Sequence, residues 1–273
     1  MKSNPLQVKE VLSRGVGKIY PSYEALEKLL LSGKKIKLYC GYDPSSSSLH
    51  LGHAISLRKL GQFQKLGHEV IMLIGDFTGM IGDPTDKLAT RKKLTRQEVL
   101  KNAKNYKKIA SKFISFTGIN AAKLKYNSQW LDKLTFKDLV EITSNFTVQQ
   151  MIERDMFQER FKNNKPIYFH EFLYPMAQGY DSVAMDIDLE VGGNDQTFNM
   201  LVGRTLMKCL KGKEKFVLTM KLLIDSTGKK MSKSEGNMVA LDEKPIEMFG
   251  KIMSWPDEIM LAGFELLTDV PMS

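Results

Sequence analysis

Between Ile36 and Ile74 the chain alternates two hydrophobic periods. Ile36 to Tyr42 is β-prone and runs into Asp43-Pro44, a turn signal. A serine-rich loop, Ser45 to Ser48, follows, and its later serines read as plain linker. Leu49, Leu57, Leu60, Phe63 and Leu66 then recur at helical spacing, with Gly67 as the stop. Glu69 to Ile74, apolar from Val70 onward, reads as a buried parallel strand closed by Gly75-Asp76. Such a strand–helix–strand unit builds a doubly wound parallel sheet in an α/β fold.

The middle of the chain, from Thr95 to Phe161, is helical in pattern, with Leu124 to Trp130 returning to the sheet. A second sheet half follows: strand Ile187 to Val191, helix Asp195 to Leu210, strand Phe216 to Ile224. Helical patterning resumes at Pro245 and breaks at Ser254-Trp255-Pro256. Asp269-Val270-Pro271-Met272-Ser273 has the look of a turn into a helix N-cap, so a C-terminally truncated chain is expected.

Composition narrows the class. The 273 residues include no apolar run near the ~20 residues of a membrane span, and the first five residues lack a signal-peptide core. Two cysteines, Cys40 and Cys209, give neither a disulfide framework nor zinc spacing, so a reducing cytoplasm is expected. The formal net charge is +9, which hints at a polyanionic partner.

The phosphate devices are unusual. No Gly-Lys pair precedes Ser or Thr, and no G-x-G-x-x-G follows the first strand. Instead Leu49-His50-Leu51-Gly52-His53 opens the first crossover helix, where backbone N–H groups and the helix dipole favour phosphate. Its two imidazoles can donate hydrogen bonds, and Gly52 lets a nucleotide come close; read alone, two surface histidines fit equally well. Lys230-Met231-Ser232-Lys233-Ser234 lies after the last strand, bounded by Gly228 and Gly236. A loop of that kind suits a clamp over phosphates, or simply a solvated basic turn. Both segments fall at carboxyl ends of predicted strands, which makes the pair far more specific than either member.

These two segments resemble the signatures of class I aminoacyl-tRNA synthetases. Leu38 to Pro44, Thr78 to Pro84, Tyr174 to Asp181 and Val191 to Gln196 further resemble the bacterial tyrosyl enzymes, in the right order along the whole chain. The resemblance implies a Rossmann-like catalytic domain over residues 1–240, with a helical insertion at about 100–180 and a mobile signature loop at 226–238. Residues 241–273 would begin a helical anticodon-binding domain. It implies L-tyrosine held by Tyr39 and Asp181 at the phenol, by Asp83, Tyr174 and Gln178 at the ammonium, and by Gln196 at the carboxylate. Tyr174, Gln178 and Asp181 share one helix face by their spacing. ATP would lie on Gly41, Asp43, Gly52, His53, Gly193, Asp195 and Lys233. Ser45, His50, His53, Lys87, Arg91, Lys230 and Lys233 would handle phosphate during catalysis. Magnesium is expected with ATP and not on a protein-built metal site. Tyrosine transfer to tRNA(Tyr) by a homodimer with no membrane attachment is implied as well. Glu190 departs from the pattern, standing where some relatives carry Gln, as does Asp86 before Lys87.

Two other classes stay open on the sequence: a small-molecule nucleotidyltransferase with an H-x-G-H loop, and an RNA-binding relative without catalysis. Tyrosine-driven ATP–pyrophosphate exchange separates all three. The charge, finally, is localised. Residues 87–112 hold ten Lys or Arg and one acid, Glu98, so this stripe alone equals the net charge of the chain. It runs along an expected helix, its proximal half reading as a cationic gate for triphosphate and its distal half as a solvated face or a tRNA contact.

Overall fold

The computed structural model describes residues 4–85, 94–224 and 238–272. Six strands, β1 (Val16–Tyr20), β2 (Lys37–Tyr42), β3 (Glu69–Ile74), β4 (Lys123–Tyr126), β5 (Leu189–Gly193) and β6 (Phe216–Met220), form one sheet in the order β1-β6-β5-β2-β3-β4. β2 pairs in parallel with β3 and with β5, β3 with β4, and β5 with β6. Only β1 runs antiparallel, along the outer edge of β6. From β2 the chain winds outward to β3 and β4, then crosses back to β5 and β6. The direction of winding therefore reverses between β2 and β5, the crevice where such sheets bind ligands.

The central strands form because their side chains are apolar on both faces. Leu38, Val70, Ile71, Met72, Leu73, Ile74, Leu189, Val191, Val217 and Leu218 are all buried. Each contributes roughly 1.5–3 kcal/mol by leaving water. The Leu51–Lys65 helix covers β2 and β3 with Ile55, Leu57, Leu60 and Phe63, and Gly67, at φ 89°, ends it in the left-handed conformation.

The structure differs from the sequence pattern in particulars. Leu124 to Trp130 divides into β4 and a short helix, Ser128–Leu131. The described part of the basic stripe, from residue 94 on, holds two short helices, Arg96–Ala103 and Tyr106–Ala110, where one was expected. Ser46 and Ser48, expected as linker, hold the turn after β2: Ser46 Oγ donates to Ser48 O at 2.8 Å, and Ser48 Oγ bonds the Asp242 carboxylate. β1 had no counterpart in the pattern. Beyond Pro245 the helices Pro245–Met253 and Met260–Leu267 flank the expected break. Arg14 pins the second of them by donating to the carbonyls of Phe264, Glu265 and Val270 at 3.1, 3.0 and 2.7 Å. A guanidinium there meets the negative end of the helix dipole.

Candidate active site

At the carboxyl end of β2 the chain turns through Asp43-Pro44 and enters the first crossover helix at its N-cap, His50. His50 Nδ1 accepts the Gly52 N–H at 3.1 Å, and His53 Nδ1 accepts the His50 N–H at 3.1 Å. This is a capping box built from two histidines. Since each Nδ1 accepts a backbone proton, each ring carries its own proton on Nε2. The rings lie 3.9 Å apart, centroid to centroid. Two Nε2–H donors at a helix N-terminus match the needs of a phosphate. Ser45 is exposed beside them, its N–H turned back onto Asp43 O at 2.7 Å.

The chain returns to this turn after its second signature. Leu51 N–H donates to Val239 O at 3.0 Å and Leu241 N–H to Leu49 O at 2.8 Å, with His50 paired to Ala240 as an isolated bridge. The Lys230–Ser234 segment and Lys87 and Arg91 lie outside the described residues, so Lys87, Arg91, Lys230 and Lys233 have no placement here. Of the basic stripe, Arg96 pairs with Asp132 at 2.9 Å and Asp76 at 3.4 Å. Lys112 donates to Leu241 O at 2.6 Å, while Lys101, Lys104, Lys107 and Lys108 are exposed.

Behind the histidines a polar chain crosses the crevice. Asp43 accepts from Thr78 Oγ1 at 2.6 Å and from Tyr174 Oη at 2.8 Å. Thr78 accepts from Asn127 Nδ2 at 3.0 Å, and the same Asn127 nitrogen reaches Asp181 Oδ2 at 3.3 Å. Trp130 Nε1 donates to Asp181 Oδ1 at 2.8 Å. Gly41 is the penultimate residue of β2, Gly193 is the last of β5, and Asp195 and Gln196 follow β5 in a short turn of helix. Gln196 Nε2 donates to Asp83 Oδ2 at 2.7 Å, and Asn199 Nδ2 holds Gln196 Oε1 at 3.0 Å. Arg154 Nη2 reaches Thr85 Oγ1 at 2.8 Å, and Thr85 N–H in turn donates to Asp83.

Tyr174, Gln178 and Asp181 project from one face of the Phe169–Met185 helix. Gln178 Nε2 donates to Glu190 Oε1 at 3.1 Å, and its buried Oε1 has no partner among the described residues. Tyr39 is 1% exposed and its Oη lies 3.1 Å from Ser182 Oγ. Burial pushes the Tyr39 phenol well up, with the Glu190 and Asp181 carboxylates adding to the effect. Burial likewise raises the Asp181 carboxyl far above the ordinary range, against the hydrogen bonds from Trp130 and Asn127. The Cys40 thiol, pushed up to about 11 by burial, is no nucleophile at neutral pH.

The site thus has a buried polar end at Tyr39 and Asp181, an amide and carboxylate zone at Gln178, Asp83 and Gln196, and a donor-rich turn at His50 and His53. Sequence reasoning missed Asn127, Trp130, Ser182, Thr78 and Lys215, which support these groups from elements distant in the chain.

Comparison with known proteins places the chain in a family. A family model described as tRNA synthetases class I (W and Y) matches residues 31–273. A tyrosine–tRNA ligase of Carboxydothermus hydrogenoformans is 50% identical over 267 residues, 96% of this chain and 64% of that protein. The Haemophilus influenzae protein of the same name is 48% identical over 263 residues, 96% of this chain and 65% of the relative. The chain therefore spans just under two thirds of the length of these relatives. Among solved structures, a C-terminally truncated mitochondrial tyrosyl-tRNA synthetase of Aspergillus nidulans superposes with a TM-score of 0.82 at 21% identity, covering 99% of this chain and 81% of that one. The Archaeoglobus fulgidus tyrosyl-tRNA synthetase complexed with L-tyrosine gives 0.75 at 24% identity, covering 96% and 81%. These two show a common fold. With the family model matched over residues 31–273, the chain belongs to the class I tRNA synthetases of the tryptophan and tyrosine family.

Proposed function

We propose that the chain activates L-tyrosine with ATP, giving tyrosyl-adenylate and pyrophosphate, as the catalytic part of a tyrosine–tRNA ligase. The observation that carries this reading is the buried polar end of the pocket. Tyr39 and Asp181 are 1% and 2% exposed, and a phenol hydroxyl gives both a partner. A phenylalanine ring would offer nothing to the hydrogen-bonding capacity that Ser182, Trp130 and Asn127 leave over on these two groups, at a cost of about 1–3 kcal/mol for each buried group left short.

The chemistry needs no protein nucleophile. The tyrosine carboxylate attacks the α-phosphorus, the bond to the bridging oxygen breaks, and pyrophosphate leaves with the negative charge. Asp83, Tyr174 and Gln178 hold the ammonium, and Gln196 orients the carboxylate. Gly41, Asp43, Gly52, Gly193 and Asp195 seat the nucleotide, with Asp195 on the ribose. His50 and His53 offer Nε2–H donors to charge growing on the phosphates, aided by Ser45 and by the lysines and arginine of the two basic segments. Magnesium enters with ATP; among the described residues no group of three His, Cys, Asp or Glu is placed to hold a metal.

Transfer of tyrosine to tRNA(Tyr), a homodimeric assembly and a cytoplasmic location belong to the same proposal. So does the division at residue 240 into a catalytic domain and the start of a helical anticodon-binding domain. No helix among the described residues is long and apolar enough to cross a membrane. The 273 residues alone are expected to form adenylate and to charge tRNA poorly. Tyrosine-dependent ATP–pyrophosphate exchange, set against phenylalanine and tryptophan, tests the first half; no tyrosine-driven exchange from folded protein rejects it. Charging of tRNA(Tyr) at the rate of adenylate formation rejects the second.

A further inference from the structure

Beneath the amino-acid pocket lies a lysine that the reaction does not use. Lys215 sits in the turn ahead of β6, in the polar run Lys211-Gly212-Lys213-Glu214-Lys215, yet it is 0% exposed. Its three N–H bonds are all taken: by the Glu190 carboxylate, by Ser182 Oγ at 2.9 Å and by Met200 O at 3.1 Å. Gly203 makes room for it, since a Cβ there would come within 2.5 Å of Nζ.

We propose that Lys215 is a positioning residue that sets the hydrogen-bond polarity of the amino-acid pocket at both ends. This rests on the tyrosine-activating reading above. The first branch runs through Ser182. An ammonium only donates, so Ser182 Oγ accepts from Lys215 and turns its own proton to Tyr39 Oη, 3.1 Å away. Tyr39 then accepts from Ser182, and its phenolic proton lies between the Glu190 carboxylate, which also hydrogen-bonds it, and the ligand hydroxyl. The second branch runs through Glu190. With one carboxylate oxygen on Lys215, the other accepts from Gln178 Nε2. That fixes the amide with Oε1 turned away from Glu190, and Oε1 is the buried atom with no partner among the described residues. It is an acceptor at the end where the ligand ammonium binds.

One buried cation thus presents a donor to the phenol and an acceptor to the ammonium. It also neutralises Glu190, whose charge would otherwise be a second anion under the pocket. The neighbouring groups on other elements are consistent with this: Asp181 is held by Trp130 and Asn127, and Asp83 by Gln196, so neither competes for Lys215.

Removing one charge alone would strand the other, so the test replaces both, Lys215→Met with Glu190→Gln, a pair of similar volume. Exchange kinetics are measured with tyrosine and with phenylalanine, beside thermal melting. The expected result is a folded variant with KM for tyrosine raised roughly tenfold or more and the phenylalanine-to-tyrosine ratio raised by a similar factor. KM for ATP stays within about twofold, a split that a merely structural pair would not produce. Should this variant fail to fold, Ser182→Ala, which cuts the Tyr39 branch and removes one of the three Lys215 acceptors but leaves the Glu190 pair in place, is expected to relax phenylalanine rejection. A folded variant of either kind with unchanged tyrosine KM and unchanged phenylalanine ratio overturns the inference alone. Wild-type protein without tyrosine-driven exchange overturns the functional reading and the inference with it.

Discussion

Tyr174 Oη donates to Asp43 Oδ2 at 2.8 Å, which joins a residue assigned to the amino acid with one assigned to the nucleotide. Asp43 is also held by Thr78, so under the proposed assignments the pair would lie between the two ligands. Tyr174→Phe keeps the ring, which is 6% exposed, and deletes only the donor. It is expected to raise KM for tyrosine and KM for ATP together, each by roughly five- to twentyfold, the effect of one lost hydrogen bond to a charged group. Exchange kinetics at varied tyrosine and varied ATP check this, and a rise confined to tyrosine would show the two subsites to be independent.

His50 caps the Leu51–Lys65 helix through Nδ1, and the phosphate role proposed for its Nε2–H can be separated from the cap by substitution. Asparagine is among the best N-caps, and its Oδ1 takes the place of Nδ1. His50→Asn is therefore expected to melt within a few degrees of the wild type while kcat for exchange falls about 10²-fold and KM changes little. His50→Ala loses the cap as well, at about 1 kcal/mol of stability. Comparing the melting curves and kcat of the two variants separates cap from catalysis; equal losses of stability would contradict the cap role.

The chain's own pattern made β2, β3 and β5 legible because each is a short, largely apolar segment buried on both faces, Glu190 being the buried charge in β5. β1 was not, for a physical reason: Val16-Gly17-Lys18-Ile19-Tyr20 lies on the sheet edge, where only Ile19 is buried, and an edge strand needs no hydrophobic signal. The site divides in the same way. The two histidines and the Tyr174, Gln178 and Asp181 face were visible because they are near one another in sequence. Asn127 and Trp130 reach Asp181 from more than fifty residues away, and Ser182 reaches Tyr39 across 143. No local spacing records such contacts. Lys215 was hidden more deeply, since in a run of lysines a buried ammonium reads as one more solvated charge.

Asp181, proposed above as a partner of the ligand phenol, carries a cost in stability that pH exposes. Burial lifts its carboxyl above the value of about 3.9 that an unfolded chain would show. Between the two values the folded protein binds a proton that the unfolded chain has released. Stability attributable to this group therefore falls as pH rises from about 4 toward neutrality. Asparagine does not titrate, and its Oδ1 still accepts from Trp130 Nε1; what it loses is the longer bond from Asn127, at 3.3 Å. Asp181→Asn is thus expected to melt above the wild type at pH 7, with the gap closing as the pH is lowered toward 4. The same substitution should weaken tyrosine binding and relax phenylalanine rejection, because a carboxyl partner for the phenol is gone. Melting curves at half-unit steps from pH 4.5 to 7.5 check the first expectation. A gap that widens on acidification would mean instead that Trp130 and Asn127 outweigh burial and hold Asp181 as an anion.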